Sequence, residues 1–342
     1  MKAVVFHEHG GPEVLRYEDR PVPTIRPDEI LVRVKACALN HLDIWVRQGI
    51  RAYAIELPHI SGCDVAGIVE QAGASAAGIA LGSRVMLNPG LSCWRCEYCL
   101  SGRDNQCVQY KVLGAQVDGG YAEYVKVPAV NALPIPDGVP FEQAAAFPLV
   151  TLTAWHMLYT LGAIRTGEHA LVMGGGSGVG SMGIQLAAAA GARVITTVGS
   201  DDKSAKAKAL GAEEVINHTT EGVAKRVKDL TDGRGADLVI EHIGPDVWAT
   251  CIASLAKGGR LITCGATTGA EVALDLRHVY SRHLTIKGAY LGTRAELVDA
   301  IKLLALGRIK PVVDRVLPLQ EARTAQEQML SRRLFGKLVL AV

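Results

Sequence analysis

From about residue 150 the chain alternates short β-branched runs with helical stretches, and no other feature restricts its fold so tightly. Strand signals fall at 170–173, 193–198, 214–216, 237–240 and 259–263, with helical signals at 185–190, 203–210 and 223–230 between them. Strands separated by crossover helices run parallel, so the pattern predicts an α/β, doubly wound parallel sheet. The first of these strands runs into Gly174-Gly-Gly-Ser-Gly-Val-Gly180 and then a helix. Glycines there let a backbone approach a pyrophosphate, which sits against the amides and positive dipole of a helix N-terminus. In the frame ending at Gly180 the middle position is Ser177; a stricter glycine match, Gly178-x-Gly180-x-x-Gly183, begins too late after the strand. Gly175, Ser177, Gly178, Val179 and Gly180 are therefore the loop residues expected to meet a dinucleotide.

Residues 1 to about 130 have a different texture. Short runs at 3–6, 30–34, 65–69, 84–87 and 121–125, cut by Pro and Gly, predict a mostly antiparallel β domain. From about residue 293 the chain returns to a helix at 294–306 and strand signals at 312–313 and 337–340. The expected division is 1–150, a dinucleotide-binding domain at 151–292, and a return of 293–342 to the first domain.

Within the first domain, Cys93, Cys96, Cys99 and Cys107 fall inside fifteen residues, with Gly102 placed for the turn. This lobe, at about 90–110, has the spacing of a closed tetrahedral site. Four thiolates complete a zinc shell and leave no position for substrate, so the expectation is one structural Zn²⁺ per chain, contributing to folding and not to chemistry.

The other four cysteines (Cys37, Cys63, Cys251, Cys264) are dispersed, and eight in 342 residues is too sparse for a disulfide scaffold. Charge near Met1 interrupts any signal-peptide core, and no apolar run reaches the ~18 residues of a membrane span. These features predict a cytoplasmic chain with no membrane partner. Thirty-six basic residues against thirty-four acidic leave no excess for a nucleic acid, which makes a small molecule the expected substrate.

Cofactor choice turns on the end of the second parallel strand, where a carboxylate selects a free ribose hydroxyl. Val198 stands there, followed by Gly199-Ser-Asp-Asp-Lys203. Ser200 and Lys203 would suit a 2′-phosphate, so NADP(H) is expected over NAD(H), although Asp201 and Asp202 oppose it electrostatically.

The cysteine lobe, the glycine loop and the returning C-terminal segment together resemble the medium-chain dehydrogenase/reductase superfamily, the zinc alcohol dehydrogenase and quinone oxidoreductase relatives. The resemblance also rests on Ala38-Leu-Asn-His-Leu-Asp43, Gly62-Cys-Asp-Val-Ala-Gly67, Gly119-Gly-Tyr-Ala-Glu-Tyr124, Gly258-Gly-Arg-Leu-Ile-Thr-Cys-Gly265 and Phe335-Gly-Lys-Leu-Val-Leu340. It implies a GroES-like catalytic domain around a Rossmann domain, hydride transfer in the cleft between them, and a homodimer or homotetramer. By position it implies that Asn40, Asp43 and Trp45 line the cleft and that Thr153, Gly265, Ala266, Tyr290, Leu291 and Lys337 join the cofactor contacts.

Departures from the alcohol dehydrogenase pattern matter more. Where that branch places Cys, His and Cys on a catalytic zinc, this chain has Asn40, Cys63 and Leu149. The open three-ligand site is not assembled in this register. An off-register site from Cys37, His41, His59, Cys63 and Asp64 stays open, and His156 is either a cleft-facing proton donor or a packed histidine. The reading is therefore hydride delivery to an activated C=C bond or quinone without a catalytic zinc. The alternatives are an alcohol or aldehyde dehydrogenase with a non-standard metal site, and a nucleotide-binding protein without turnover.

Overall fold

The computed structural model describes residues 1–50 and 53–342 and divides the chain into two compact units, Met1–Leu149 with Thr293–Val342, and Val150–Gly292. In chain order the first unit begins with β1 (Lys2–Val5), β2 (Arg16–Asp19), β3 (Glu29–Ala38), β4 (Asp64–Ala72), β5 (Arg84–Leu87), β6 (Gly90–Leu91), β7 (Lys111–Val112), β8 (Tyr124–Pro128) and β9 (Ala132–Pro134). The second contributes β10 (His169–Val172), β11 (Arg193–Val198), β12 (Glu214–Asn217), β13 (Ala236–Glu241), β14 (Leu255–Thr263) and β15 (Thr285–Gly288). The chain then returns to the first for β16 (Val313–Pro318) and β17 (Lys337–Ala341).

In the first unit the main sheet runs β16-β17-β3-β4-β5-β9, with β8 on β3. Apart from the parallel pair β16 and β17, its ladders are antiparallel. β3 is the hub. Its Ala38 lies opposite Val339 of β17 and Asp64 of β4, which brings the two ends of the sequence to one place in the sheet. Ile30, Val32, Val34, Val65, Val69, Val85, Val125, Leu338 and Leu340 bury the apolar faces of these strands in one core. β-branched residues dominate that set because they pack well on a pleated surface.

The second unit is a six-stranded sheet in the order β12-β11-β10-β13-β14-β15, parallel throughout. Its central strands are buried on both sides and read as continuous apolar runs: Leu171, Val172, Val239, Ile240, Leu261 and Ile262 are all at most 1% exposed. The order reverses beside β10, so the loop after that strand stands at the switch point where ligands bind in sheets of this kind. Among the described residues, no helix is long and apolar enough to cross a membrane.

Candidate functional site

Among the described residues three groups are candidates, a metal site and a polar cluster in the first unit and a nucleotide loop in the second. In the cysteine lobe, Cys96 caps the short helix Glu97–Leu100, Cys99 sits inside it, and Cys107 ends the turn Asp104–Gln106. Gly102 takes φ +76°, the left-handed turn anticipated for it. The result brings four sulfurs within 4.8 Å of one another, the one such ligand set among the described residues. Backbone amides of Cys93 and Gln109 donate to Cys107 Sγ at 3.2 and 3.3 Å, which suits a thiolate. The amides of Cys99 and Val108 pull Cys96 down to about 6, whereas burial and its thiol neighbours push Cys99 up to about 12. A dication among four soft donors would displace the remaining protons and resolve that asymmetry, so the residues fit zinc.

The second group lies at the meeting of β3, β4 and β17. Lys337 Nζ donates to Asn40 Oδ1 at 2.6 Å and to Asp64 Oδ2 at 3.0 Å. Asn40 Nδ2 donates to Asp64 Oδ2 at 2.9 Å and reaches Cys63 Sγ at 3.3 Å, while the Leu149 amide donates to Asp64 Oδ1 at 2.8 Å. Asp64 is fully buried and Lys337 is 5% exposed. Asp43, three residues into the helix His41–Gln48, accepts from the Asn40 amide at 2.8 Å, the Tyr121 hydroxyl at 3.0 Å and the Gly62 amide at 3.2 Å. Burial lifts its carboxyl to about 6 against those bonds.

Asn40, Cys63 and Leu149 thus do converge, on a carboxylate. What they present is an amide N–H, a thiol and a backbone N–H. Burial, with Asp64 and Asp43 nearby, pushes the Cys63 thiol well above its usual range, so it stays protonated. The two off-register histidines do not gather round it: His59 turns to Gly114 O at 3.2 Å and to Asp118, and His41 packs against Trp45 at a ring separation of 6.2 Å. Trp45 is half-buried on the same helix. The resemblance implies Lys337 among the cofactor contacts; the structure encloses its ammonium between Asp64 and Asn40.

In the second unit the loop after β10 is built by exclusion. Gly174 takes φ +62°, and its amide donates to Thr197 Oγ1 at 2.9 Å. A Cβ at Gly175 would fall 2.4 Å from Thr196 Oγ1, and one at Gly180 would fall 2.1 Å from Gly174 O. Ser177 caps the helix Gly178–Ala189 by accepting from the Gly180 amide at 2.9 Å. The amides of Gly178 and Val179, in the first turn, have no partner within the helix. Beside this loop stand His242, after β13, and the segment after β14, where Gly265 packs against the His242 backbone. Ala266 follows it, Tyr290 is 48% exposed after β15, Leu291 is buried at φ +50°, and Thr153 is buried in the helix Pro148–Trp155. His156 is buried one turn further on.

The end of β11 differs in detail from the sequence expectation. Val198 is buried as the last strand residue, and Asp201 accepts from Asn217 Nδ2 at 2.7 Å. Ser200, expected to serve a phosphate, hydrogen-bonds the exposed Asp202 carboxyl and holds it below the usual range. Lys203 lies in the first turn of the helix Asp202–Ala209.

Comparison with known proteins gives a consistent result. The family "Alcohol dehydrogenase GroES-like domain" matches residues 26–137, and "Zinc-binding dehydrogenase" matches residues 178–305. An alcohol dehydrogenase of Geobacillus stearothermophilus is 32% identical over the whole of both chains. A quinone oxidoreductase of Rattus norvegicus is 30% identical, covering 99% of this chain and 97% of its own. Among solved structures, an NAD-dependent alcohol dehydrogenase is 45% identical and superposes with a TM-score of 0.95, covering all of both chains.

Proposed function

Since the chain belongs to the medium-chain dehydrogenase/reductase superfamily and is an oxidoreductase of that family, we propose that it transfers hydride to an activated C=C bond or quinone-type acceptor without a catalytic zinc. The observation that carries this reading is the Asn40, Cys63, Asp64 and Lys337 cluster. A Lewis acid that stabilises an alkoxide needs anionic or imidazole ligands and an open position. Here one ligand position offers amide hydrogens to the sulfur of the next, the third is Leu149, and Lys337 already neutralises the buried carboxylate. A conjugated acceptor needs less polarisation than an alcohol, so orientation and exclusion of water supply much of the rate.

A nicotinamide dinucleotide supplies the hydride. Gly175, Ser177, Gly178, Val179 and Gly180 hold its pyrophosphate in this reading, and the segments at Gly265, Ala266, Tyr290 and Leu291 with Thr153 serve the nicotinamide half. Asn40 is held by Lys337 and carries the Asp43 cap on its own amide, so it is fixed in position. The similar quinone oxidoreductase supports the acceptor class; the similar alcohol dehydrogenases favour a second reading, alcohol oxidation. A panel of enones, quinones, acyl thioesters, aldehydes and alcohols, assayed with both cofactors, separates the two. Saturable cofactor binding with no turnover across the panel would favour a nucleotide-binding protein instead.

On cofactor choice, two observations support NAD(H) over the NADP(H) preference expected from Ser200 and Lys203. The Ser200 hydroxyl hydrogen-bonds the exposed Asp202 carboxyl and favours its ionised form, which would accept from a ribose hydroxyl and repel a 2′-phosphate. The 45% identical structure is named as NAD-dependent. NADH should bind more tightly than NADPH, and Asp202→Asn should narrow the difference. Titration of both cofactors by fluorescence checks this: tighter NADPH binding that Lys203→Glu abolishes would restore the phosphate reading.

A further inference from the structure

Resting on the dinucleotide reading of the glycine loop, we propose that His242 is a positioning residue that turns the Ser177 hydroxyl into an obligate hydrogen-bond donor, reserved for a phosphate oxygen of the bound nucleotide. The argument is one of hydrogen counting. His242 Nε2 lies 2.9 Å from Met173 O. A carbonyl only accepts, so Nε2 carries a hydrogen whether the ring is neutral or protonated. Ser177 Oγ, 3.2 Å from the same Nε2, therefore finds no lone pair there to donate to, and accepts by sharing that one hydrogen with Met173 O in a three-centre bond. The same oxygen accepts from the Gly180 amide at 2.9 Å. A hydroxyl has two lone pairs and one proton. Both lone pairs are engaged, one of them through the shared imidazole hydrogen, and among the described residues none accepts that proton in a hydrogen bond.

The imidazole is held in place to do this. It packs on Gly174, where a Cβ would stand 3.2 Å from His242 Cε1, so the loop and the ring fix each other. A neutral hydroxyl that can only donate, set among the free amides of a helix N-terminus, selects an anion and gives nothing to a cation. Removing the imidazole frees one lone pair of Ser177 and lets the hydroxyl rotate toward other acceptors, so its proton is no longer held for the ligand.

The test measures dissociation constants of NADH and of ADP-ribose, which has the pyrophosphate but no nicotinamide, on the intact chain. Ser177→Ala and His242→Leu should each weaken both ligands by roughly tenfold, the loss expected for a hydrogen bond to a charged group. The double variant should be no worse than either single one, and His242→Gln, which restores an N–H donor, should recover most of the affinity. Ser177→Asp retains a capping acceptor and hence the helix, yet cannot donate, so it should bind as weakly as Ser177→Ala or worse. Additive losses in the double variant, or a Ser177→Ala protein that binds ADP-ribose as well as the parent, would overturn the proposal. A parent chain that binds neither nicotinamide dinucleotide would instead overturn the reading on which it rests.

Discussion

Replacing Lys337 by Met should destabilise the first unit by about 3–5 kcal/mol, the loss typical when one partner of a buried ion pair is removed. Asp64 has no route to water, being fully buried, and its remaining partners, Asn40 Nδ2 and the Leu149 amide, are uncharged. The double variant Lys337→Met with Asp64→Asn should recover most of that loss, because it removes the uncompensated charge while keeping an acceptor for the Leu149 amide. Denaturant unfolding of both proteins measures the coupling. A single variant within about 1 kcal/mol of the parent, the range of an exposed ion pair, would show that the pair does not behave as a buried one.

Removing the metal expected in the cysteine lobe should have a comparable effect, confined at first to residues 90–110. The purified chain should carry one zinc, and Cys96→Ser should lose it, since three thiols with a serine no longer close the shell. The lobe has little apolar packing to fall back on: of its four cysteines, Cys99 and Cys107 are buried, whereas Leu100 is 76% exposed. Limited proteolysis should then cut within the lobe, while the rate of the hydride step with bound cofactor changes far less than stability does. A zinc-free chain with unchanged melting temperature and unchanged protease resistance would contradict this assignment.

The parts legible in the sequence are those whose geometry is local. The cysteine spacing closes within one turn and one short helix, and Gly174–Gly180 is read directly from a strand, a loop and a helix that are contiguous. The parallel sheet follows from alternation, although β15, whose residues 285–288 are largely exposed, gives a weak apolar signal and was not anticipated. The polar cluster was only half legible. Asn40, Cys63 and Leu149 were recognised as departures from a metal site, but the Asp64 to Lys337 pair joins residues 273 apart, and only the register of β17 and β4 on β3 brings them together. His242 is illegible in the sequence for another reason. It follows an ordinary buried strand with no spacing motif, and its value comes from a carbonyl and a hydroxyl on another loop. Ser200 shows the converse: its position suggests a phosphate contact, and spacing does not disclose its hydrogen bond to the neighbouring Asp202.

The central claim is hydride transfer to an activated acceptor without a catalytic metal, and metal analysis of active protein tests it most directly. Zinc should be counted in the same preparation that is assayed for reduction of a conjugated enone or quinone and for oxidation of benzyl alcohol. The account predicts one zinc per chain, held by Cys93, Cys96, Cys99 and Cys107, with turnover of the enone or quinone and very slow alcohol oxidation. In that preparation Asn40→Ala should impair turnover and leave the zinc content at one. Two zinc ions per chain, with rapid alcohol oxidation that disappears together with one of them in Cys63→Ala, would contradict it.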